Sequence, residues 1–462
     1  MTENSGTPLD LESVRSTVRE LMPDLLADLE SLVAIPSVAF PSFPPEPVHR
    51  MSEAVVDLFR RSGVEDVRLL EIPGGYPAVY ADMPGPAGSP TVLLYAHYDV
   101  QPASVEQGWD TDPWTATRKD DGRIYGRGSA DDKSGLVIHA GTMRALAGRL
   151  PVGVRLLVEG EEETISHLED YVDANPELFT CDAFVIADMG NQAVGRPALT
   201  TALRGEVSCT LRVRTLDHPV HSGLFGGAAP DALVALIAIL ATMHDKEGNT
   251  IVPGVTTGEW SGADFDEEAY RESSGLLDGV DLVGSGTLAS RLWSKPSATV
   301  IGIDAPSVRD ASNVLLPEAR AKISMRIVPG ADADHELEAL MGHLRSVAPW
   351  NVIVEVEKVK VGWPFAVDMS GPALRTASQA LEAAFGRPVE QIGSGGSIPL
   401  VATLKKAAPS ADVLLWGAED IALSRIHASN ESVDPREIED MVVAQVLTLM
   451  GLGETPVGST PA

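Results

Sequence analysis

Thr91-Val92-Leu93-Leu94-Tyr95-Ala96-His97-Tyr98-Asp99 decides the fold. The short apolar run from Thr91 to Tyr95 has the length and composition of a buried strand. It ends in a histidine and an acid with one residue between them. Working outward, Val152 to Val158 is a second buried strand, followed by Glu161, Glu162 and Glu163. Phe184 to Ala187 is a third, followed by Asp188. Between the first two, Lys133 to Ala147 reads as a helix with Leu136, Ala140, Met143 and Leu146 on one side. Strands alternating with helices predict an α/β sheet. In such sheets ligand sites collect at the carboxyl ends of the strands, where these acids and His97 fall.

Upstream, Leu11 to Val33 carries leucines at helical spacing and is stopped by Pro36. The proline-dense stretch Pro41 to Pro47 predicts a loop, and Met51 to Arg61 a helix that ends before Gly63. The middle of the chain differs. Glu206 to Leu216 alternates as a half-exposed strand, and Asp231 to His244 reads as a buried helix too short to span a bilayer. Gly254 to Gly286 predicts an ordered insertion. Strand patterns recur at Ala321 to Val328 and Val352 to Val356, with a helix between them. The outline is β–α–β–β–α–β, a small α+β sandwich. The α/β pattern then resumes with helix Pro372 to Phe385, strand Val413 to Trp416 and helix Ile438 to Met450. The fold class is α/β: a central mixed sheet flanked by helices, split in sequence into 1–203 and 362–462, with an α+β domain inserted at 204–361. The tail after Gly453 is expected to be disordered.

Bulk properties narrow the function. The chain has 462 residues, enough for a large core. Its net charge of −31 repels nucleic acid and anionic membranes, so neither is expected as a partner. Cys181 and Cys209 both lie in apolar segments, which predicts unpaired thiols and a reducing compartment. Residues 1–12 lack the basic start and apolar stretch of a secretory signal, so the expected location is cytoplasmic.

The chemistry-bearing residues are unevenly placed. His97 and Asp99 share a strand end, Asp131 and Asp132 follow the turn Gly126-Arg127-Gly128-Ser129, and His427 lies in the polar loop Ser424 to Glu431. Taken singly, each has an ordinary reading: a hydrogen-bonded histidine, a solvated charge run, a turn. Together they place several acids and a histidine on one sheet edge. Such packing is strongly repulsive without a cation. A pair of divalent metals resolves the conflict, and imidazole with carboxylate suits zinc, manganese or cobalt. One of two neighbouring glutamates can then bind metal while the other moves protons.

Six blocks in this order resemble a known family: Tyr95-Ala96-His97-Tyr98-Asp99-Val100-Gln101-Pro102, Gly126-Arg127-Gly128-Ser129-Ala130-Asp131-Asp132-Lys133, Glu159-Gly160-Glu161-Glu162-Glu163, Ala187-Asp188, His221-Ser222-Gly223 and His427 in its loop. The sequence resembles the co-catalytic dinuclear metallopeptidases that include carnosinase-like dipeptidases, glutamate carboxypeptidase, aminoacylase and succinyl-diaminopimelate desuccinylase. Val100-Gln101-Pro102 and His221-Ser222-Gly223-Leu224-Phe225-Gly226-Gly227 look most like the dipeptidase branch. The resemblance implies that His97, Asp131 and Asp188 hold one metal and Asp131, Glu163 and His427 the other. It makes Glu162 the general base acting on a metal-bridging water, and Asp99 the residue that orients His97. It implies a cis Asp131–Asp132 peptide.

The same resemblance makes the inserted domain a lid and dimerisation unit. His221 would reach the partner subunit's site in a homodimer and stabilise the oxyanion there. Arg326 would grip the substrate carboxylate, Gly395, Gly396 and Ser397 would let backbone approach the substrate, and Asn313 would contact it. The sequence departs from the family at Ser134, at Thr164-Ile165-Ser166, and at Ser394, where the carnosinase type carries an acid. The function expected is hydrolysis of dipeptides or short peptides with a free C-terminal carboxylate. The alternatives are an N-acyl amino acid deacylase on the same scaffold and a non-catalytic binding protein. The remaining histidines, His139 among them, are read as structural or exposed.

Overall fold

The computed structural model describes residues 10–396 and 399–454; Ser397 and the predicted tail beyond Glu454 lie outside the described residues, while Glu454 itself ends a helix. Thr91–His97 lies inside a six-stranded sheet. The order is Arg68–Leu70, Ala78–Met83, Gly153–Glu159, Thr91–His97, Ala183–Ile186, Asp412–Leu415. The last four strands are mutually parallel and the first two antiparallel, so the sheet is mixed. Val92, Leu94 and Ala96 face one core; Leu93 and Tyr95 face another. Helices Leu11–Val33, Glu46–Arg61, Lys133–Leu146, Pro372–Phe385 and Pro435–Glu454 cover the first face. Leu168–Ala174 and Pro399–Ala407 contribute to the second. Burial on both faces is why the strand reads as an unbroken apolar run rather than an alternation.

The helix predicted from Met51 begins instead at Glu46. Pro47 falls in its first turn, where a missing N–H costs nothing, so the proline-dense loop ends earlier than its composition suggests. Lys133–Leu146 starts where the Asp132 carboxylate accepts from the Gly135 amide, an N-cap.

A second sheet, antiparallel throughout, has the order Ser297–Asp304, Glu318–Ile327, Gly205–Arg214, Ile353–Gly362. Its apolar face packs on helices Ala232–Leu240 and Ala333–Ser346. The former buries Ala232, Ala235, Leu236 and Ile239 but exposes Val234 and Ile237, so the Asp231–His244 run is only half buried. Ser297–Asp304 supplies a strand that was not located from sequence; it lies at the edge with Val300, Ile301 and Ile303 exposed. Between these elements, Glu267–Ser274 forms a helix inside the predicted insertion. No helix among the described residues is long and apolar enough to cross a membrane.

Candidate active site

Four parallel strands deliver their carboxyl ends to one edge. His97 ends the first, fully buried. Glu162 and Glu163 follow Gly153–Glu159, Asp188 follows Ala183–Ile186, and Glu419 follows Asp412–Leu415. His97 Nε2 lies 2.9 Å from Asp131 Oδ1 and 3.6 Å from Asp188 Oδ1. His427 Nε2 lies 3.0 Å from Asp131 Oδ2 and 3.2 Å from Glu163 Oε2. Asp131 therefore stands between the two imidazoles. Its peptide bond to Asp132 is cis. His427 has φ 63°, the left-handed region that non-glycine residues seldom adopt and that recurs at functional sites.

Three compact groups of donors emerge among the described residues: His97 with Asp132 and Asp188; Asp131 with Glu163 and His427; and Asp131 with Asp188 and Glu419. Asp132 is already engaged, since its Oδ2 accepts from the His97 amide and its Oδ1 from Gly135. Asp131 at 2.9 Å is then the carboxylate closest to Nε2 of His97.

Asp99 does more than orient a ring. Its backbone carbonyl lies 3.1 Å from His97 Nδ1, and its carboxylate lies 3.4 Å from the same nitrogen. The two carboxylate oxygens accept from the amides of Glu162 at 3.0 Å and Glu163 at 3.1 Å. One buried side chain thus fixes the His97 strand and the paired glutamates relative to each other. Gln101 Nε2 donates to Glu163 Oε2 at 2.7 Å, which aims that carboxylate at His427.

The Asp131 turn is held from the far end of the chain. Glu431, fully buried, accepts from the amides of Gly128, Ala130 and Asp131 and pairs with Arg127 at 2.5 Å. Glu431→Ala leaves the Arg127 charge buried and three amides unpaired. The expected cost is about 3–5 kcal/mol of unfolding free energy, measured by denaturant titration. A loss within ordinary surface-mutation range would show that the pair is dispensable.

The electrostatics describe a site that concentrates positive charge. Burial, followed by repulsion from neighbouring acids, raises Glu162 and Glu163, and burial lifts Asp188 to about 6. Burial alone would lower His97, but the hydrogen bonds it donates to Asp131, Asp188 and Asp99 raise it instead. Hydrogen bonds donated to Asp131 and then Glu163 push His427 to about 11. Burial would raise Asp131, but the hydrogen bonds it accepts from His427 and then His97 hold it well below the usual carboxylate range, so the acid between the two imidazoles is the one that ionises readily.

The cluster opens into a cavity of about 520 Å³. Asp131, Glu162, Asp188 and His427 line it, as do Gly395 and Gly396. The predicted residues Arg326, Asn313 and His221 do not. His221 is exposed and its Nδ1 accepts from the Gly223 amide. Asn313 is exposed and its carbonyl accepts from Ser222. Arg326 is half-buried, 3.9 Å from Glu206. Conversely, sequence reading missed Phe265, Tyr270, Trp293, Arg204 and Glu419 on the cavity wall. Burial, and then the nearby Arg326 charge, lower Arg204 to about 10. Glu419 could have been found by the signal that found Asp188, an acid just beyond a buried strand.

The profile of peptidase family M20/M25/M40 matches residues 93–450. The chain is 42% identical over 374 residues to the cysteinylglycine-S-conjugate dipeptidase of Corynebacterium striatum, covering 79% of this chain and 82% of that one. It is 29% identical over 465 residues to the Beta-Ala-His dipeptidase of Rattus norvegicus, covering 93% and 92%. Its fold is similar to that of the solved di-peptidase Dug1p from Saccharomyces cerevisiae, with TM-score 0.80 at 22% identity, covering 97% and 100%.

Proposed function

This chain belongs to peptidase family M20/M25/M40, and from that premise we propose that it is a metal-dependent dipeptidase that cleaves the amide bond of dipeptides with a free C-terminal carboxylate. The observation that carries this is the meeting of His97, Asp131, Glu163, Asp188 and His427 at one sheet edge, with Glu162 beside them. The donor set fits two divalent ions, zinc first, with manganese or cobalt as substitutes. His97, Asp131 and Asp188 would hold one; Asp131, Glu163 and His427 the other. When bound, the ions supply Lewis-acid polarisation of the scissile carbonyl and lower the pKa of water.

Glu162 accepts the proton of the attacking water as the C–O bond forms. It returns that proton to the amine nitrogen as the C–N bond breaks. Asp99 keeps Glu162 in register with His97. Arg204 on the cavity wall provides a cationic group for the substrate carboxylate, the planar fork suiting that ligand, with Arg326 near it outside the cavity as the second such group. Gly395 and Gly396 leave room for substrate backbone beside the cluster. The segment 204–361 acts as lid and dimerisation unit through its exposed edge strand. In the dimer, His221 serves the partner's site, and Asn313 contacts substrate. Unpaired Cys181 and Cys209 support a cytoplasmic, reducing location.

Phe265, Tyr270, Trp293, Ile392, Ile421 and Ile426 give the cavity an apolar wall. That wall favours dipeptides with a bulky apolar N-terminal residue, in keeping with the S-conjugate substrate that names the Corynebacterium striatum relative. With zinc or manganese supplied, kcat/KM on such dipeptides is expected to exceed that on N-acetyl and N-succinyl amino acids, and chelator should abolish it. The reverse preference would make the protein a deacylase; full activity in chelator would remove the metal.

A further inference from the structure

Glu419 sits where its neighbours do not explain it. It ends the fourth parallel strand's connection, is 8% exposed, and lines the cavity. Its Oε1 has no hydrogen-bond partner among the described residues. Gly190 pairs with it across a short two-stranded ladder, and a Cβ on Gly190 would lie 2.7 Å from the Glu419 Cβ. The missing side chain at 190 is what lets Glu419 pack there. Each imidazole-anchored donor set is complete without Glu419, and it groups only with Asp131 and Asp188, which those sets already use. Two divalent ions would offset Asp131, Asp188, Glu162 and Glu163; Glu419 remains as a buried carboxyl on the cavity wall with an unpartnered oxygen, ready to ionise against a cation.

We propose that Glu419 receives the α-ammonium group of the substrate and so selects peptides with a free N-terminus. This rests on the dipeptidase reading above. In an α-dipeptide the ammonium nitrogen is two covalent bonds from the scissile carbonyl carbon, about 2.5 Å away. A carbonyl held at the Asp131–Asp188 cluster therefore brings the ammonium to the immediate surroundings of those carboxylates. A Glu419 oxygen lies within 4.8 Å of an oxygen on each. An ammonium beside two divalent ions is repelled unless a carboxylate faces it, and Glu419 is the acid left to do so. The residue acts on specificity, since an acylated nitrogen carries no charge for it to bind.

The test compares the zinc-loaded wild type with Glu419→Gln, on a free dipeptide and its N-acetylated form. In the wild type the free dipeptide should be strongly preferred. Glu419→Gln should lower that preference about 10–100-fold, through KM on the free dipeptide, with bound zinc unchanged. Glu419→Asp keeps the charge and should retain most of the preference; it also serves as the readout if the glutamine variant does not fold. Equal losses on both substrates, or a fall in bound zinc, would overturn the proposal and make Glu419 a metal ligand or packing residue. A wild type that hydrolyses dipeptides with a preference indifferent to Glu419 defeats this proposal alone. A wild type that prefers the acylated substrate defeats the dipeptidase reading with it.

Discussion

Glu162→Gln is expected to lower kcat by about 10²–10⁴-fold, the usual contribution of a positioned general base, while zinc content stays at the wild-type value. The reason lies in the division of labour between adjacent residues. Glu163 is turned to His427 and anchored by Gln101. Glu162 lines the cavity, with its backbone tied to Asp99 and no ion-pair partner among the described residues. Glutamine keeps the volume and removes only the proton acceptor. Steady-state kinetics with metal analysis on the same preparation read both quantities. A several-fold effect would exclude Glu162 as the base; lost zinc would make it a ligand.

His221→Ala is expected to slow turnover by about 10²–10³-fold, as loss of an oxyanion donor does, although His221 lines no cavity in its own chain. The decisive form of the experiment mixes two inactive variants. In randomly assorted dimers of His221→Ala with Glu162→Gln, half the dimers are mixed. One of the two sites in each mixed dimer combines an intact base with an intact partner histidine. Activity should recover to about a quarter of wild type. No recovery on mixing would confine His221 to its own subunit or remove it from the reaction.

Much of this was legible because the acids that matter follow runs that have to be buried. His97, Glu162, Glu163 and Asp188 each stand just past an apolar strand, and a sheet with parallel strands must gather such ends. His427 carries no such signal. It sits in a polar loop 296 positions from Asp131 (427 minus 131), and only the family resemblance assigned it. Phe265 and Tyr270 come from an insertion rich in glycine and acids, whose placement over the cavity depends on tertiary packing rather than periodicity. The edge strand Ser297–Asp304 was missed because exposed Val300, Ile301 and Ile303 break the alternation that marks a half-buried strand. Asp99 was expected to serve the imidazole alone. Its grip on two backbone amides needs the 153–159 strand beside the 91–97 strand, a pairing not readable from either run.

The hydrogen bond from the Asp131 amide to Glu431 spans 300 positions, and that separation orders events during synthesis. A ribosome releases the 91–97 strand, the Asp131 turn and the 153–159 strand long before residue 431 emerges. Until then the turn that carries the shared carboxylate has neither its amide acceptor nor the Arg127 counter-charge, and the second imidazole has not been made. Closing so long a loop is slow relative to local helix formation. The nascent chain therefore carries a half-built acidic edge for most of its translation, and the full set of acids and imidazoles can meet only after the last strand and loop have joined the sheet.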